Sequence, residues 1–361
     1  VRREKQETEE DMRDTMDDVL FGGARLLADI GGTNARFALQ RGPGRIEEIA
    51  TLSCAAHATF VDAVRAYLAG HPGAAREVRH AVIAIANPVE GDFIKMTNHH
   101  WQFSIDAARR DLGLDTLLVV NDFAALSMSV PGLPDADLQQ VGGTRVNPDA
   151  VIGVVGAGTG LGVGGVIPDA GRWTVLPSEG GHVAFSPSNA REQAILAYCW
   201  TKWDHVSAER LISGPGLATI HEALCAIDGL APEALEPAQV VERGLAGDKL
   251  CAEVLDIFCG ALGTMAANVA VTLCARGGIY IGGGVVPRLG DFFARSSFRA
   301  RFENKGRFTD FCKQIPVYVI HAPYPALAGA AAMLDQQLVD ARAAAQRAPI
   351  DTVTAAGHAH A

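Results

Sequence analysis

Leu26-Leu27-Ala28-Asp29-Ile30-Gly31-Gly32-Thr33-Asn34-Ala35-Arg36-Phe37-Ala38-Leu39 reads as two short strands around a tight turn. Leu26 and Leu27 begin a buried entry strand, and Phe37, Ala38 and Leu39 form the exit strand. Gly31 and Gly32 leave no Cβ between a ligand and the backbone N–H groups, and glycine reaches φ > 0 without strain. Such a turn makes a concavity for an anion. Asp29, just ahead of it, would repel a phosphate directly, and a bridging Mg²⁺ reconciles the two. A plain hairpin with a Gly-Gly turn is the other reading of the same residues.

The chain has 361 residues, too many for one compact core, so two domains are expected. It is 48% hydrophobic and 20% charged, a composition of globular proteins. A net charge of −10 argues against a nucleic-acid-binding surface. None of the seven cysteines forms Cys-x-x-Cys, so neither a zinc knuckle nor a redox pair is indicated. Residues 1–19 carry eight acids and four bases, unlike a secretory start, and reduced thiols in a cytoplasm are expected. The uncharged run Ala150–Pro168 holds seven glycines, which argues for strands around a loop and not a membrane helix.

Residues 1–22 read as a solvated, disordered tail. Helical spacing marks 58–69, with Phe60, Val64, Tyr67 and Leu68. Ala81–Ala86 and Leu117–Val120 are continuous apolar runs, expected as buried strands. Ser104 is placed to cap a helix reaching about Leu112. A helix is expected over Phe123–Val130, with a linker at Pro131-Gly132-Leu133-Pro134. Residues 190–200, 207–212 and 289–302 are also helical candidates. Gly247–Ala275 is a long apolar helix that Gly277-Gly278 should end. Ala326–Val339 is the last helix expected, and the Ala-rich remainder reads as disordered.

Strand, Gly-rich turn and strand recur at 151–167, around Gly156-Ala157-Gly158-Thr159-Gly160-Leu161-Gly162. No Gly-Lys-Ser/Thr follows, and a strand rather than a helix comes next, so neither common nucleotide fingerprint applies. Two Gly-Thr turns imply a duplicated architecture with one turn per domain, placed to grip a polyphosphate between them. A third cluster, Gly282–Gly284, follows the strand Ile279–Ile281 and would let an adenine approach the backbone. Asn121-Asp122 closes a buried strand, where an α/β sheet meets its ligand. An Asp there can deprotonate a hydroxyl, or it can cap the helix that follows. Ser178-Glu179-Gly180-Gly181-His182 suits a polyhydroxyl ligand, with hydrogen bonding favoured over metal binding.

These residues occur in one order with Asn87-Pro88, Met96-Thr97-Asn98-His99 and Ser207-Ala208-Glu209-Arg210. Together, from about Leu26 to Gln337, they closely resemble bacterial glucokinases of the proteobacterial type. The resemblance implies the α/β, actin-like ATPase (ribonuclease H-like) fold, two α/β domains around a cleft. On this chain that gives a disordered tail at 1–22 and a small domain at 23–132, completed by about 322–340. A large domain at 133–321 and a second disordered tail at 341–361 complete the division. It implies phosphorylation of glucose on its 6-hydroxyl with ATP and Mg²⁺, a cytoplasmic homodimer, and a place at the entry to glycolysis.

Carried over by position, Asp122 is the general base, and Asn98, Asn121, Asp122, Glu179, His182 and Glu209 are sugar ligands. Ala28, Asp29, Ile30, Gly31, Gly32 and Thr33 form the first phosphate motif, Gly158, Thr159 and Gly160 the second, and Gly282 and Gly283 the adenosine motif. Mg²⁺ would be held through the ATP phosphates, with Asp29 the one protein ligand considered. The Cys-rich zinc motif of the related ROK group is absent, and no fused DNA-binding regulator domain is recognisable. The alternatives are a non-catalytic sugar or nucleotide sensor and a sugar-independent ATPase on the same fold. Neither a nucleic-acid nor a membrane partner is expected.

Overall fold

β1 (Arg25–Ile30) and β2 (Asn34–Gln40) form the hairpin expected around Gly31–Thr33, with Leu27 opposite Ala38 and Asp29 opposite Arg36. The structure, a computed structural model, describes residues 22–97, 99–144, 147–231 and 233–347. β3 (Ile46–Ser53) extends the hairpin antiparallel, while β4 (His80–Ile85) and β7 (Thr116–Asn121) run parallel on the other side of β1. The sheet order is β3-β2-β1-β4-β7. A small separate hairpin joins β5 (Phe93–Lys95) to β6 (Gln102–Ser104).

Two-residue periodicity sorts the first sheet's side chains between two layers. Leu26, Ala28, Ile30, Ala81, Ile83 and Ile85 face one cluster, packed with Phe60, Tyr67 and Trp101. Leu27, Ala38, Val82, Ala84 and Val120 face the other, against Ala125, Leu327, Ala330 and Leu334. The first layer includes helix Phe60–Ala69, capped by Thr59 and Asp62 in a reciprocal box, and helix Ile105–Asp111, capped by Ser104 as expected.

The second sheet has the order β11-β10-β9-β12-β13-β8. Its strands are β8 (Leu138–Gln140), β9 (Ile152–Ala157), β10 (Leu161–Asp169), β11 (Arg172–Leu176), β12 (Ile279–Gly282) and β13 (Val317–Ile320). β9, β10 and β11 form an antiparallel meander; β12 and β13 continue parallel to β9, and β8 closes the edge antiparallel. One face packs on the core helix Lys249–Leu273 through Val155, Ile279, Ile281, Val317 and Val319. That helix is long and apolar enough to cross a membrane, but 72% of its most apolar window is buried inside the protein. Burial in the core accounts for its composition.

Between the sheets lie the bridging helix Asp122–Ser129 and the closing helix Pro325–Arg347. The bridging helix gives Ala125 to the first sheet's layer and Leu126 to the second's. The closing helix crosses it at Gly329, where a Cβ would strike the Ala125 carbonyl, and its Asp335 ion-pairs with buried Arg25 of β1.

Several boundaries differ from the sequence reading. The closing helix continues seven residues into the stretch 341–361 read as a disordered tail, because Ala341, Ala343, Ala344 and Ala345 are strong helix formers. Residues 1–21 and 348–361 lie outside the described residues, and with them nearly all of the expected 1–22 tail. The core helix ends at Cys274, itself left-handed at φ 51°, not at the glycine pair. Gly277 instead lets the chain press against Ala150, whose oxygen would lie 2.6 Å from a Cβ there. Residues 289–302 split into helices Asp291–Arg295 and Phe298–Glu303 after a four-residue helix that Gly290, at φ 51°, terminates. Of 207–212, only Ala208–Arg210 is helical, as one 3₁₀ turn; the linker Pro131-Gly132 lies in another.

Candidate active site

The first turn is open. Gly31 donates its N–H to the Asn34 oxygen at 3.0 Å, and the Cys54 N–H reaches the Thr33 oxygen at 2.9 Å. Neither Gly31 nor Gly32 has a positive φ, so the conformational freedom expected of them is unused. A Cβ on Gly31 would meet only the Asn34 oxygen, at an ordinary contact distance of 3.8 Å, so the space beside this residue is open. Ala28 and Ile30 are buried in the sheet, so their side chains build the strand and do not reach into the turn. Asp29 emerges between them and is ion-paired to Arg36 of β2, 2.9 Å away. Burial raises its pKa, against the Arg36 charge and hydrogen bond that lower it. Arg36 also lies over the Tyr324 ring, 4.6 Å from its centre. The sequence reading gave Arg36 no role; its place seven residues after Asp29, across a two-residue-periodic hairpin, was the available signal.

Asn121 and Asp122 sit where β7 ends and the bridging helix begins. The sequence left Asp122 open as base or cap, and the cap is Asn121. Its Oδ1 accepts the N–H groups of Phe123 (3.0 Å) and Ala124 (2.9 Å). Its Nδ2 donates to the Asn87 oxygen and to Asp122 Oδ1, both at 3.3 Å. Asp122 Oδ1 accepts the Phe123 N–H at 2.7 Å. Burial, then the negative charge of Asp29, raise the Asp122 pKa to about 6, and Glu179 adds a smaller push. Asp29 and Glu179 therefore lie within electrostatic reach of Asp122.

The second turn is fastened from several sides. Gly158 donates its N–H to the Gly160 oxygen at 2.8 Å, and its own oxygen accepts the Gly214 N–H at 2.7 Å. Glu209 Oε2 accepts the Leu161 N–H at 2.9 Å. The loop carrying Glu179 and His182 lies on β10, where a Cβ on Gly181 would strike the Leu161 oxygen. That loop is stitched to the Glu209 segment: Phe185 N–H to Val206 oxygen at 2.9 Å, Ala208 N–H to Val183 oxygen at 2.8 Å. Glu179 and His182 are both exposed, with Oε2 and Nε2 3.9 Å apart.

Gly282 pairs in register with Gly156, so the third glycine cluster borders the second turn. Gly283, at φ 81°, presses against the Ala157 backbone, whereas Gly284 is open. Gly156 and Gly162, read with the second turn, serve packing instead. They make room for Phe123 of the bridging helix, whose ring a Cβ at either position would strike. Asn98 lies outside the described residues. Its neighbour Thr97 is held by Asn87, whose Oδ1 accepts both the Thr97 N–H at 3.0 Å and the Thr97 hydroxyl. Among the described residues no three His, Cys, Asp or Glu side chains converge on a metal-sized site.

This geometry puts a half-buried carboxylate of raised pKa near an open glycine turn and a polar, exposed loop. Comparison with known proteins gives the family. A family model described as Glucokinase matches residues 26–337. The glucokinase of Chromobacterium violaceum is 55% identical over 315 residues, covering 87% of this chain and 90% of that protein. A "Bifunctional protein glk" of Paraburkholderia xenovorans is 54% identical over 317 residues; the match spans 88% of this chain but 49% of that relative, about half its length. The structure of a glucokinase from an Antarctic psychrotroph superposes with a TM-score of 0.79 at 32% identity, covering 87% of this chain and 99% of that one. A ROK-family glucokinase from Streptomyces griseus, at TM-score 0.59 and 20% identity, covers 87% of this chain and 100% of its own and shares the fold.

Proposed function

This chain belongs to the glucokinase family and has the actin-like ATPase fold, and on that premise we propose that it transfers the γ-phosphoryl group of ATP to the 6-hydroxyl of glucose with Asp122 as general base. The observation that carries the reading is the Asp122 carboxylate, half-buried where a parallel strand ends, beside the Asp29 charge that with desolvation pushes its pKa up to about 6. A sugar hydroxyl becomes a useful nucleophile when its proton has an acceptor, and a carboxylate titrating near 6 is ionised at neutral pH yet basic enough to accept it. The proton passes from O6 to Asp122 as O6 bonds the γ-phosphorus and the bond to the ADP leaving oxygen breaks.

Glu179, His182 and Glu209 orient the sugar through its hydroxyls, and Asn98 is proposed as a further ligand on the resemblance alone. Asn121 acts chiefly by capping the bridging helix and so aiming Asp122, and its long amide bonds to Asn87 and Asp122, both at 3.3 Å, are the ones a sugar hydroxyl would replace. Gly31, Gly32 and Thr33 with Gly158, Thr159 and Gly160 line the phosphates, with the N–H groups of Gly31 and Gly158 spent inside their own turns and the other backbone N–H groups and the two hydroxyls offered to phosphate oxygen. Gly282 and Gly283 border the adenosine. Mg²⁺ fits this constellation: the half-buried Asp29 and Asp122 carboxylates repel each other, and Mg²⁺ is commonly held by one or two carboxylates plus substrate phosphates. Asp29, now ion-paired to Arg36, would hold it. Bound there, it neutralises phosphate charge.

The domain division is read the same way: 23–132 completed by about 322–340 as the small unit, 133–321 as the large one, closing on the sugar to exclude water. A cytoplasmic homodimer acting at the entry to glycolysis completes the proposal. The test is ADP release measured on a hexose panel with ATP and Mg²⁺. Glucose-dependent release is expected. Binding without turnover would make the protein a sensor, and turnover independent of sugar would make it a simple ATPase.

A further inference from the structure

Glu209 is a sugar-side residue that holds on to the phosphate side. Its Oε2 accepts the Leu161 N–H at 2.9 Å, and Leu161 is the first residue after Gly158–Gly160. Ser213 in turn donates its hydroxyl to the Glu209 oxygen at 2.8 Å, and the adjacent Gly214 N–H reaches the Gly158 oxygen at 2.7 Å. The Glu209 segment and the second turn are therefore tied by two hydrogen bonds. Gly160 carries a second, independent sign of the same contact. Its φ is not in the left-handed region, so backbone conformation does not demand glycine. The three nearest atoms that a Cβ there would meet all belong to the Glu209 side chain, the carboxylate oxygen first. Gly160 is glycine to let Glu209 in.

We propose that Glu209 is a positioning residue that couples the two substrates: Oε2 bolts the second phosphate turn, while Oε1 is offered to a sugar hydroxyl. Oε1 takes no hydrogen bond among the described residues. Glucose arriving at Oε1 fixes the side chain and with it the Leu161 N–H, so the phosphate turn is set before ATP is used. By linkage, nucleotide on the turn steadies the sugar ligand by the same factor. The inference rests on the reading of Glu209 as a sugar ligand.

The test is a crossed pair of calorimetric titrations. Glucose is titrated into nucleotide-free protein, and a non-hydrolysable ATP analogue with Mg²⁺ into sugar-free protein. Glu209→Ala is expected to weaken analogue binding without any sugar present by about 5-fold or more, the lower end of ordinary coupling. Glu209→Gln keeps a carbonyl oxygen for the Leu161 N–H and is expected to restore it. Gly160→Ala pushes the carboxylate aside and is expected to weaken glucose binding without any nucleotide present, again about 5-fold or more. If Glu209→Ala loses glucose but binds the analogue normally, Glu209 is a sugar ligand only and the coupling is wrong. Wild-type glucose affinity in a folded Gly160→Ala also overturns it. Should Gly160→Ala not fold, the Ala and Gln variants of Glu209 decide between the same outcomes. Wild-type protein that neither binds nor phosphorylates glucose would instead refute the kinase reading itself.

Discussion

In the first sheet β3, β2 and β1 form an antiparallel meander, with β4 and β7 parallel beyond it. In the second, β11, β10 and β9 repeat the meander, with β12 and β13 parallel beyond. Each meander presents a Gly-Thr turn between its inner strands, and there the likeness stops. Beside the first turn stand two charged side chains paired across the strands, Asp29 and Arg36. The second hairpin has Gly156 and Gly162 in register where the first has Asp29 and Arg36 nearby, and the space they leave is filled by Phe123. One half is equipped for charge, and the other is smoothed to receive the helix that carries Asp122. The comparison teaches that a repeated plan need not repeat its chemistry, because the helix between the sheets has two different faces to satisfy.

The sharpest way to break this division is Asp122→Asn. It keeps the size and an acceptor for the Phe123 N–H but cannot take a proton, so turnover should fall by roughly 10²- to 10⁴-fold. Glucose affinity measured by calorimetry should change far less, while Glu179→Gln should show the opposite pattern. Near-normal turnover in Asp122→Asn would remove the base from the first half.

Thr159→Val tests the second half's share in holding phosphate. It keeps shape and removes one hydroxyl, for a loss of about 1–3 kcal/mol if that hydroxyl meets phosphate in a dry site. The kcat/KM for ATP should drop accordingly, by about 5- to 160-fold, with glucose affinity held. Loss of glucose affinity alone would reassign the residue.

The pH dependence comes next. Asp122, pushed up to about 6, is protonated below that pH, so kcat/KM should fall about tenfold per unit further down on the acid side. Stability runs the other way for this group. Its folded pKa is raised from 3.8 to about 6, so the native state holds the proton longer than the unfolded chain. Its contribution to stability is therefore lost as pH rises through that window. Asp122→Asn should melt a few degrees higher than wild type at pH 7, and the difference should shrink by pH 4.

Smallest in activity, and most specific to the comparison, is a pair of glycine substitutions. Gly162→Ala drives a methyl into the Phe123 ring and should destabilise by about 1–3 kcal/mol in urea unfolding. Gly158→Ala meets nothing within 4 Å and should leave unfolding unchanged. Equal destabilisation by both would deny the second turn its split between packing glycines and an open one.

Much of the fold was legible because its signals are local. Leu27 and Leu26 sort to opposite faces by the alternation of a strand, and Ser104 caps its helix because a hydroxyl three residues from an N–H is within reach. The Asp29 turn and the Asn121-Asp122 strand end stood out for the same reason. The end of the closing helix was misread because alanine-rich sequence lacks an apolar stripe while still favouring helix. Arg36 went without a role because its partner lies across a strand pair and not along the chain.

Sequence alone thus determined where polar and glycine residues interrupt apolar strands, since those interruptions follow from backbone sterics and burial within a few residues. It could not determine what fills the space each glycine leaves. Gly160 admits Glu209, Gly162 admits Phe123, and Gly329 admits the bridging helix. Those partners are 49, 39 and about 200 residues away along the chain. Nor could it settle whether Asn121 or Asp122 caps the bridging helix, or raise Asp122 to about 6. The cap is a contact over two and three residues between two adjacent side chains that both qualify, whereas the shift depends on desolvation and on charges brought in from β1, across the first sheet, and from the Glu179 loop of the other half.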